Sequence, residues 1–373
     1  MNTNVSPGKD HESSDSRTKH IHDNAQVLEK KVNEPQPEWI VEPGPHLSDK
    51  TTTRRLMIDV IVALVPAMAA AVWVFGFNAF RLTGLCLVSC MATEFLFNLI
   101  RKRPCTLGDG SAIVTAIILA FSLPPTLPNF AVIIGSVVAI AIGKMIFGGL
   151  GQNIFNPAMV GRAFLMTAFP VLMTTWVAPV DWKAGMPMTG ATPMAAISAN
   201  QKVDAVSQAT PLVQLKPGDP QRKLPVLRQL IIGQRAGSLG ETSVIALLLG
   251  ALYLLVRKTI SWHIPIGMLG SVVIFAGISY LVAPGKFVNP MFHLGAGALI
   301  FGAFYIATDL VSSPLSRKGQ LIYGVGCGAL TMVIRQFGTY PEGVMFSILM
   351  MNGLAPLITR YTMSKPLGGN ARA

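Results

Sequence analysis

Charge is scarce in this chain. Only 13% of its 373 residues are charged, 51% are hydrophobic and the mean hydropathy is +0.50. That balance is too apolar for a water-soluble protein of this length and reads as a polytopic membrane protein. Acidic residues are rarer still beyond the N-terminus, because half of the 18 Asp and Glu precede Leu56. The net charge of +12 therefore belongs to the membrane portion, and no nucleic-acid partner is expected. Cysteine is sparse too. Cys86, Cys90, Cys105 and Cys327 contain no C-x-x-C pair, so they offer no cluster or zinc pattern. Cys86 and Cys90 share a helix face and read as packing residues. No metal site is expected.

Residues 1–50 lack any long apolar run. They are rich in charge, Ser, His and Pro, as in NEPQPEW and VEPGPH, a composition that predicts a disordered cytoplasmic tail. The tail has no apolar core of the kind that marks a cleavable signal peptide. Its four histidines, His11, His20, His22 and His46, match no ligand spacing.

From Leu56 onward, apolar runs recur near 56–77, 80–100, 110–123, 130–149, 158–178, 243–256, 264–283, 294–308, 320–336 and 343–359. Measured against the roughly 20 residues that cross a bilayer, these predict about ten transmembrane helices. Basic residues set the orientation, because positively charged loops stay cytoplasmic. With the tail inside, that side collects Arg54, Arg55, Arg101, Lys102, Arg103, Arg257, Lys258, Arg317, Lys318, Arg360, Lys365 and Arg372, whereas the short outer loops hold Arg81 and Lys286. The expected organisation is a tail at 1–50, a first membrane repeat at 51–178, an extracytoplasmic loop at 179–242, a second membrane repeat at 243–362 and a cytoplasmic C-terminus at 363–373.

The stretch from Gly110 resembles the stretch from Gly297. Each runs through a short apolar segment, a polar Pro-containing turn and a Gly-rich helix ending in Lys144 or Arg335. Each then reaches a break, at Asn156-Pro157 or at Pro341-Glu342-Gly343. Five spans per half place the halves upside down relative to each other, an inverted five-plus-five repeat of the kind that lines transport pathways with broken helices. Charges within the spans are Asp59, Glu94, Asp109, Lys144, Arg162, Asp309, Arg335 and Glu342. Such groups face the protein interior or water. Asp109 and Asp309 flank the two short segments and are the candidates for an ion path, with helix capping as the competing role for Asp109.

The long loop carries one phrase twice, as Thr189-Gly190-Ala191-Thr192-Pro193 and as Ser207-Gln208-Ala209-Thr210-Pro211. On its own, either phrase is also an ordinary turn before a helix.

GGLGQNIFNPAMVGRAF (148–164), ATPL (209–212), WHIP (262–265), ATDLVSSPLSRKGQLIYG (307–324), IRQFGTYPEGV (334–344) and MNGLAPLI near the C-terminus resemble RnfD, the D component of the Rnf ion-translocating oxidoreductase. They are also similar to NqrB, the B component of the sodium-pumping NADH:quinone oxidoreductase. The resemblance runs from residue 45 to 365. It implies a component of an electron-transport complex in the bacterial inner membrane that couples redox chemistry to Na⁺ or H⁺ translocation. The fold it implies is all-α, with ten transmembrane helices in an inverted repeat like that of urea channels. The implied partners are membrane lipid, the A, B, C, E and G components of an Rnf-type complex, and a flavin transferase. The implied cofactor is FMN, joined by a phosphoester to a threonine of the extracytoplasmic loop, and the resemblance leaves room for riboflavin as well. The transferase phrase resembles Asp-x-x-Ser/Thr-x-Ala-Thr, which Asp204, Ser207 and Thr210 match at every specified position. Thr210 is the expected attachment residue. Thr192 is the alternative, with Met186 standing where the aspartate belongs. The competing readings are an NqrB-type component of the sodium-pumping enzyme and a urea- or ammonium-type channel without flavin.

Overall fold

The computed structural model describes residues 51–176, 237–284, 286–338, 340 and 342–363. Helices α1 (Thr53–Phe75), α2 (Phe77–Ile100), α3 (Ser111–Ser122), α4 (Asn129–Ile140), α5 (Pro157–Ala168) and α6 (Pro170–Thr174) precede the long loop. Helices α7 (Val244–Val256), α8 (His263–Val282), α9 (Pro290–Gly295), α10 (Leu299–Phe301), α11 (Arg317–Phe337) and α12 (Val344–Thr362) follow it. Wide π turns extend α4 through Ala141–Met145 and α10 through Gly302–Ile306. There is no strand among the described residues. A helical element falls in each of the ten intervals that the apolar runs mark. Four of them, α1, α2, α8 and α12, are long and apolar enough to cross a membrane, while α3, α4 with its π turn and α7 are shorter apolar helices. The described residues form an all-helical membrane protein.

Local chemistry explains the boundaries. Gly76, at a φ of 60°, breaks the run between α1 and α2 and closes α1 by donating its N–H to Val72 O, a conformation that suits glycine. Asn156 and Asn289 each cap a helix that starts on proline, through Met159 N and Met291 N. Proline is tolerated at that first position because its missing N–H would be unpaired anyway. Pro170 splits the expected 158–178 span into α5 and α6, since a proline inside a helix removes a bond and clashes with the preceding turn.

Large apolar side chains such as Val65, Trp73, Phe77, Leu99, Leu281 and Tyr361 lie on the outside, as a lipid-facing surface requires. By contrast, α3 is buried at every residue but Ile113. A helix that is apolar all round belongs among other helices. The halves pack in matching ways: α4 lies between α2 and α5, and α11 lies between α8 and α12. Across the halves, first helix meets first helix, α1 against α7, and last meets last, α5 against α12. Small residues permit the closest approach. At Gly324 and Gly328 of α11, an added Cβ would collide with the Ile264 and Met268 carbonyl oxygens of α8, which is the packing that glycine supports in membranes.

Contacts sort the ends of these helices. Arg101 reaches Met145 O, Asp59 near the start of α1 pairs with Arg257 after α7, and Ser316 before α11 meets Thr362 at the end of α12. The basic clusters at 54–55, 101–103, 257–258 and 317–318, with Arg360, therefore share one end. At the opposite end Arg81 holds Asn129 and the carbonyls of Pro125 and Leu127. There Phe130 meets Phe169 edge-on at 5.8 Å, and Leu239 N donates to Leu123 O.

Candidate functional site

The two short inner helices define the site. Phe121 near the end of α3 lies 5.7 Å from Phe301 at the end of α10, ring to ring. Val114 near the start of α3 and Thr308 beyond the π turn line one cavity. High number beside low number at both places means that the segments run antiparallel, side by side. Toward the basic end they diverge around two small cavities, each of about 50 Å³, which is room for water or a small cation. Met57, Val114, Ile118, Asn156 and Asp309 line both. Toward the other end the Phe121 and Phe301 rings close the gap. Gly240, in the buried turn Leu239–Glu241, sits against the Phe301 ring and the Phe121 backbone, where an added Cβ would lie 2.8 Å from Phe121 O and 3.0 Å from Phe301 Cδ1.

A buried polar chain fixes the start of α3. Lys144 Nζ, in the π turn after α4, donates to Glu94 at 2.7 Å and to Ser111 Oγ at 2.6 Å. Thr106 donates to the other Glu94 oxygen at 2.6 Å, and Asn98 donates to Thr106. Lys144 and Glu94 are 2% and 0% exposed, so each charge is tolerable only because the other neutralises it. The second half carries its own version. Arg335, near the end of α11, donates to the carbonyls of His293 and Ala296 just before α10. Glu342 accepts from Ala298 N at 2.9 Å and from Arg162 of α5 at 2.6 Å. In both halves a cation borne near the end of the Gly-rich helix anchors the entry to a short inner helix.

The two aspartates expected on an ion path have different surroundings. Asp109 sits in the turn Leu107–Asp109, and its Oδ1 accepts from both Ser111 N and Ser111 Oγ. That is an Asx turn leading into the helix, whose N-cap is Gly110. Asp309 lies just beyond the π turn, accepts from Ser312 Oγ at 2.7 Å and lines both cavities. The aspartates do not face each other. Asp309 instead shares a cavity with Ser111, Thr115, Lys144, Asn153 and Asn156. Asn153 is 5% exposed and its Oδ1 has no partner, which leaves an acceptor oxygen at the cavity wall. The sequence reading missed Thr115, Asn153 and the Phe121–Phe301 pair. The signal within reach was the polar pair Asn153 and Asn156 flanking a helix break.

Thr192, Asp204, Ser207 and Thr210 lie outside the described residues. The flanks of their loop are described. Trp176 follows α6, and Gly237 precedes the turn packed on Phe121 and Phe301, so the chain leaves and re-enters at the end opposite the basic clusters. Cys86, Cys90 and Cys327 are free and buried, and Cys105 is free and exposed.

Two antiparallel inner helices beside small cavities, among apolar helices, define a helical membrane protein. The chain belongs to the NQR2, RnfD, RnfE family, whose profile matches residues 40–368. It is 42% identical over 330 residues to the D component of the Na⁺-translocating ferredoxin:NAD⁺ oxidoreductase complex of Acetobacterium woodii, covering 88% of this chain and 95% of that protein. It is 41% identical over 338 residues to the D component of the proton-translocating ferredoxin:NAD⁺ oxidoreductase complex of Clostridium ljungdahlii, covering 88% and 96%. It is 40% identical over 344 residues to the D component of the ion-translocating oxidoreductase complex of Pectobacterium carotovorum, covering 87% and 97%.

Proposed function

We propose that this chain is the D component of an Rnf-type complex in the bacterial inner membrane, carrying FMN on Thr210 and passing Na⁺ or H⁺ between its inner helices. The observation that carries the transport half is that Asp309 lines two small cavities at the basic end, one of them walled also by Ser111, Lys144, Asn153 and Asn156, with the Phe121–Phe301 contact lying toward the other end. Matched packing of the halves supports an inverted repeat about α3 and α10. Clustering of basic residues at one end supports cytoplasmic termini. The 42% and 41% identities to a Na⁺-translocating and a proton-translocating relative favour neither ion.

The flavin half rests on the Asp204, Ser207 and Thr210 phrase and on family membership. Loop flanks at the end away from the basic clusters support an extracytoplasmic position for that phrase, the side where a flavin transferase works. FMN held there supplies one- and two-electron carriage without diffusing away. What the chain itself provides is a hydroxyl to esterify, in a loop whose return segment, Gly237–Thr242, packs on the closed end of the inner helices. The partners are the remaining Rnf components, A, B, C, E and G. Purified protein, co-expressed with its transferase, should give a fluorescent flavin band that survives denaturing electrophoresis. A colourless band from the co-expressed protein would favour the channel reading.

A further inference from the structure

A large cleft lies at the basic end, beside the Asp309 cavities. It measures about 860 Å³, and Lys258, Trp262, His263, Leu315, Arg317 and Gln320 lie in its wall. Among the described residues, no acidic side chain lines it. Arg257, next to Lys258, is paired with Asp59, whereas Lys258 and Arg317 form no ion pair among the described residues. The starts of α8 and α11 border the cleft, and His263 Nδ1 is buried without a partner. Its rim is apolar and open to the outside: Trp262 is 54% exposed and Leu315 79%. Thr259, Ile260, Thr308 and Leu310 line both this cleft and the inner cavity that contains Asp309.

These features conflict if the cleft is an empty mouth. Two cations with no counter-charge would repel a cation approaching Asp309. The conflict disappears if a resident anion sits there. We propose that the cleft is a binding site for an anionic phospholipid, its phosphate between Lys258 and Arg317 and its acyl chains along the Trp262 and Leu315 rim. Basic pockets between helices at a membrane surface take such headgroups. An exposed tryptophan at that level suits the interface. A soluble acidic peptide would satisfy the two charges but leave the apolar rim uncovered. The link from this lipid to transport rests on the Asp309 route. The lipid site itself does not.

Native mass spectrometry of the full chain, delipidated and re-exposed to phosphatidylglycerol or phosphatidylcholine, tests the site. Wild type should retain phosphatidylglycerol selectively, and the Lys258→Gln/Arg317→Gln variant should bind it about tenfold or more weakly. Lys286→Gln, at the opposite end, should match wild type. Equal retention by wild type and the double variant overturns the proposal, as does displacement of the lipid by millimolar inorganic phosphate, which would mark a small-anion site. Displacement by a peptide of residues 1–50 would overturn it in favour of the chain's own acidic tail. Ion uptake by the complex in phosphatidylcholine vesicles, with and without phosphatidylglycerol, reads the coupling. Selective binding with uptake indifferent to the lipid keeps the site and removes its link to the Asp309 route.

Discussion

Arg162 and Glu342, 180 residues apart in sequence, meet at 2.6 Å in the interior. The pair joins α5 of one half to the entry of α12 in the other, and Glu342 also holds Ala298 N at the start of α10. With its amide turned so that each atom meets a complementary partner, Asn352 accepts from Asn156 N at 3.0 Å. The start of α5 thus lies beside the middle of α12, and the middle of α5 beside the start of α12. Antiparallel last helices bonded in this reciprocal way brace the two halves around the inner pair.

Breaking that brace on one side should cost more than removing it whole. Arg162→Leu leaves Glu342 buried without its cation, and loss of one partner of a buried pair costs about 3–5 kcal/mol. Arg162→Leu/Glu342→Gln removes both members of the pair and keeps an acceptor for Ala298 N, so it should recover part of that loss. Thermal unfolding in lipid nanodiscs should rank wild type first, the double variant second and Arg162→Leu last. A double variant less stable than Arg162→Leu would show that the pair is not the main attachment of Glu342.

The two aspartates should separate in function. Asp309→Asn removes a carboxylate from both cavities and should reduce ion uptake by the reconstituted complex about tenfold, with flavin content unchanged. Asp109→Asn keeps a side-chain oxygen that can accept from Ser111 N, so it should change stability by less than about 1 kcal/mol and leave uptake near wild type. Equal transport defects in the two variants would place Asp109 on the route after all.

Much of the fold could be read before the structure. Apolar runs marked where the helices lie, and the break expected at Asn156-Pro157 is the start of α5, which Asn156 caps. Long-range register could not be read. Lys144 finds Glu94 fifty residues away because α4 packs on α2 in one particular rotation, and no local pattern records that rotation. The run GALIFGAFYIATDL looks continuous, yet its helix begins only after Ala298, where Glu342 and Arg335 fix the backbone from distant segments. Phe121 and Phe301 look like any other apolar residue in sequence. Their role comes from which end of the inner pair they occupy.

Attachment is tested by two substitutions. Thr210→Ala should abolish covalent flavin, and Thr192→Ala should leave it, because only Thr210 has an aspartate six residues upstream. Asp204→Ala should lower the modified fraction severalfold while sparing the acceptor. Peptide mass spectrometry of the 179–242 loop reads all three. Flavin retained in Thr210→Ala and missing in Thr192→Ala would reverse the assignment.

Topology is tested by single cysteines. Position 210 should react with an impermeant thiol reagent from the periplasmic side, and positions 102 and 360 only after the membrane is opened. The basis is the gathering of the basic clusters at one end, with the loop's flanks at the other. Labelling of position 210 only after opening would end the proposed attachment, since the transferase acts outside.

The closed end offers the most direct test of the route. Gly240 lies so near Phe121 O and Phe301 Cδ1 that an alanine there must push the Leu239–Glu241 turn away from the inner helices or spread the helices themselves. Overpacking of this kind typically costs about 1–3 kcal/mol, so Gly240→Ala should lower the unfolding temperature whatever the turn does. If the turn also seals an ion route, the variant should show faster passive cation flux into vesicles without any electron donor. Phe301→Ala should raise that flux by a separate means, opening space beneath the turn instead of displacing it. Proteoliposomes loaded with a Na⁺- or pH-sensitive dye measure both. A destabilised but ion-tight Gly240→Ala, together with an ion-tight Phe301→Ala, would reduce this contact to packing and move the search for the route away from α3 and α10.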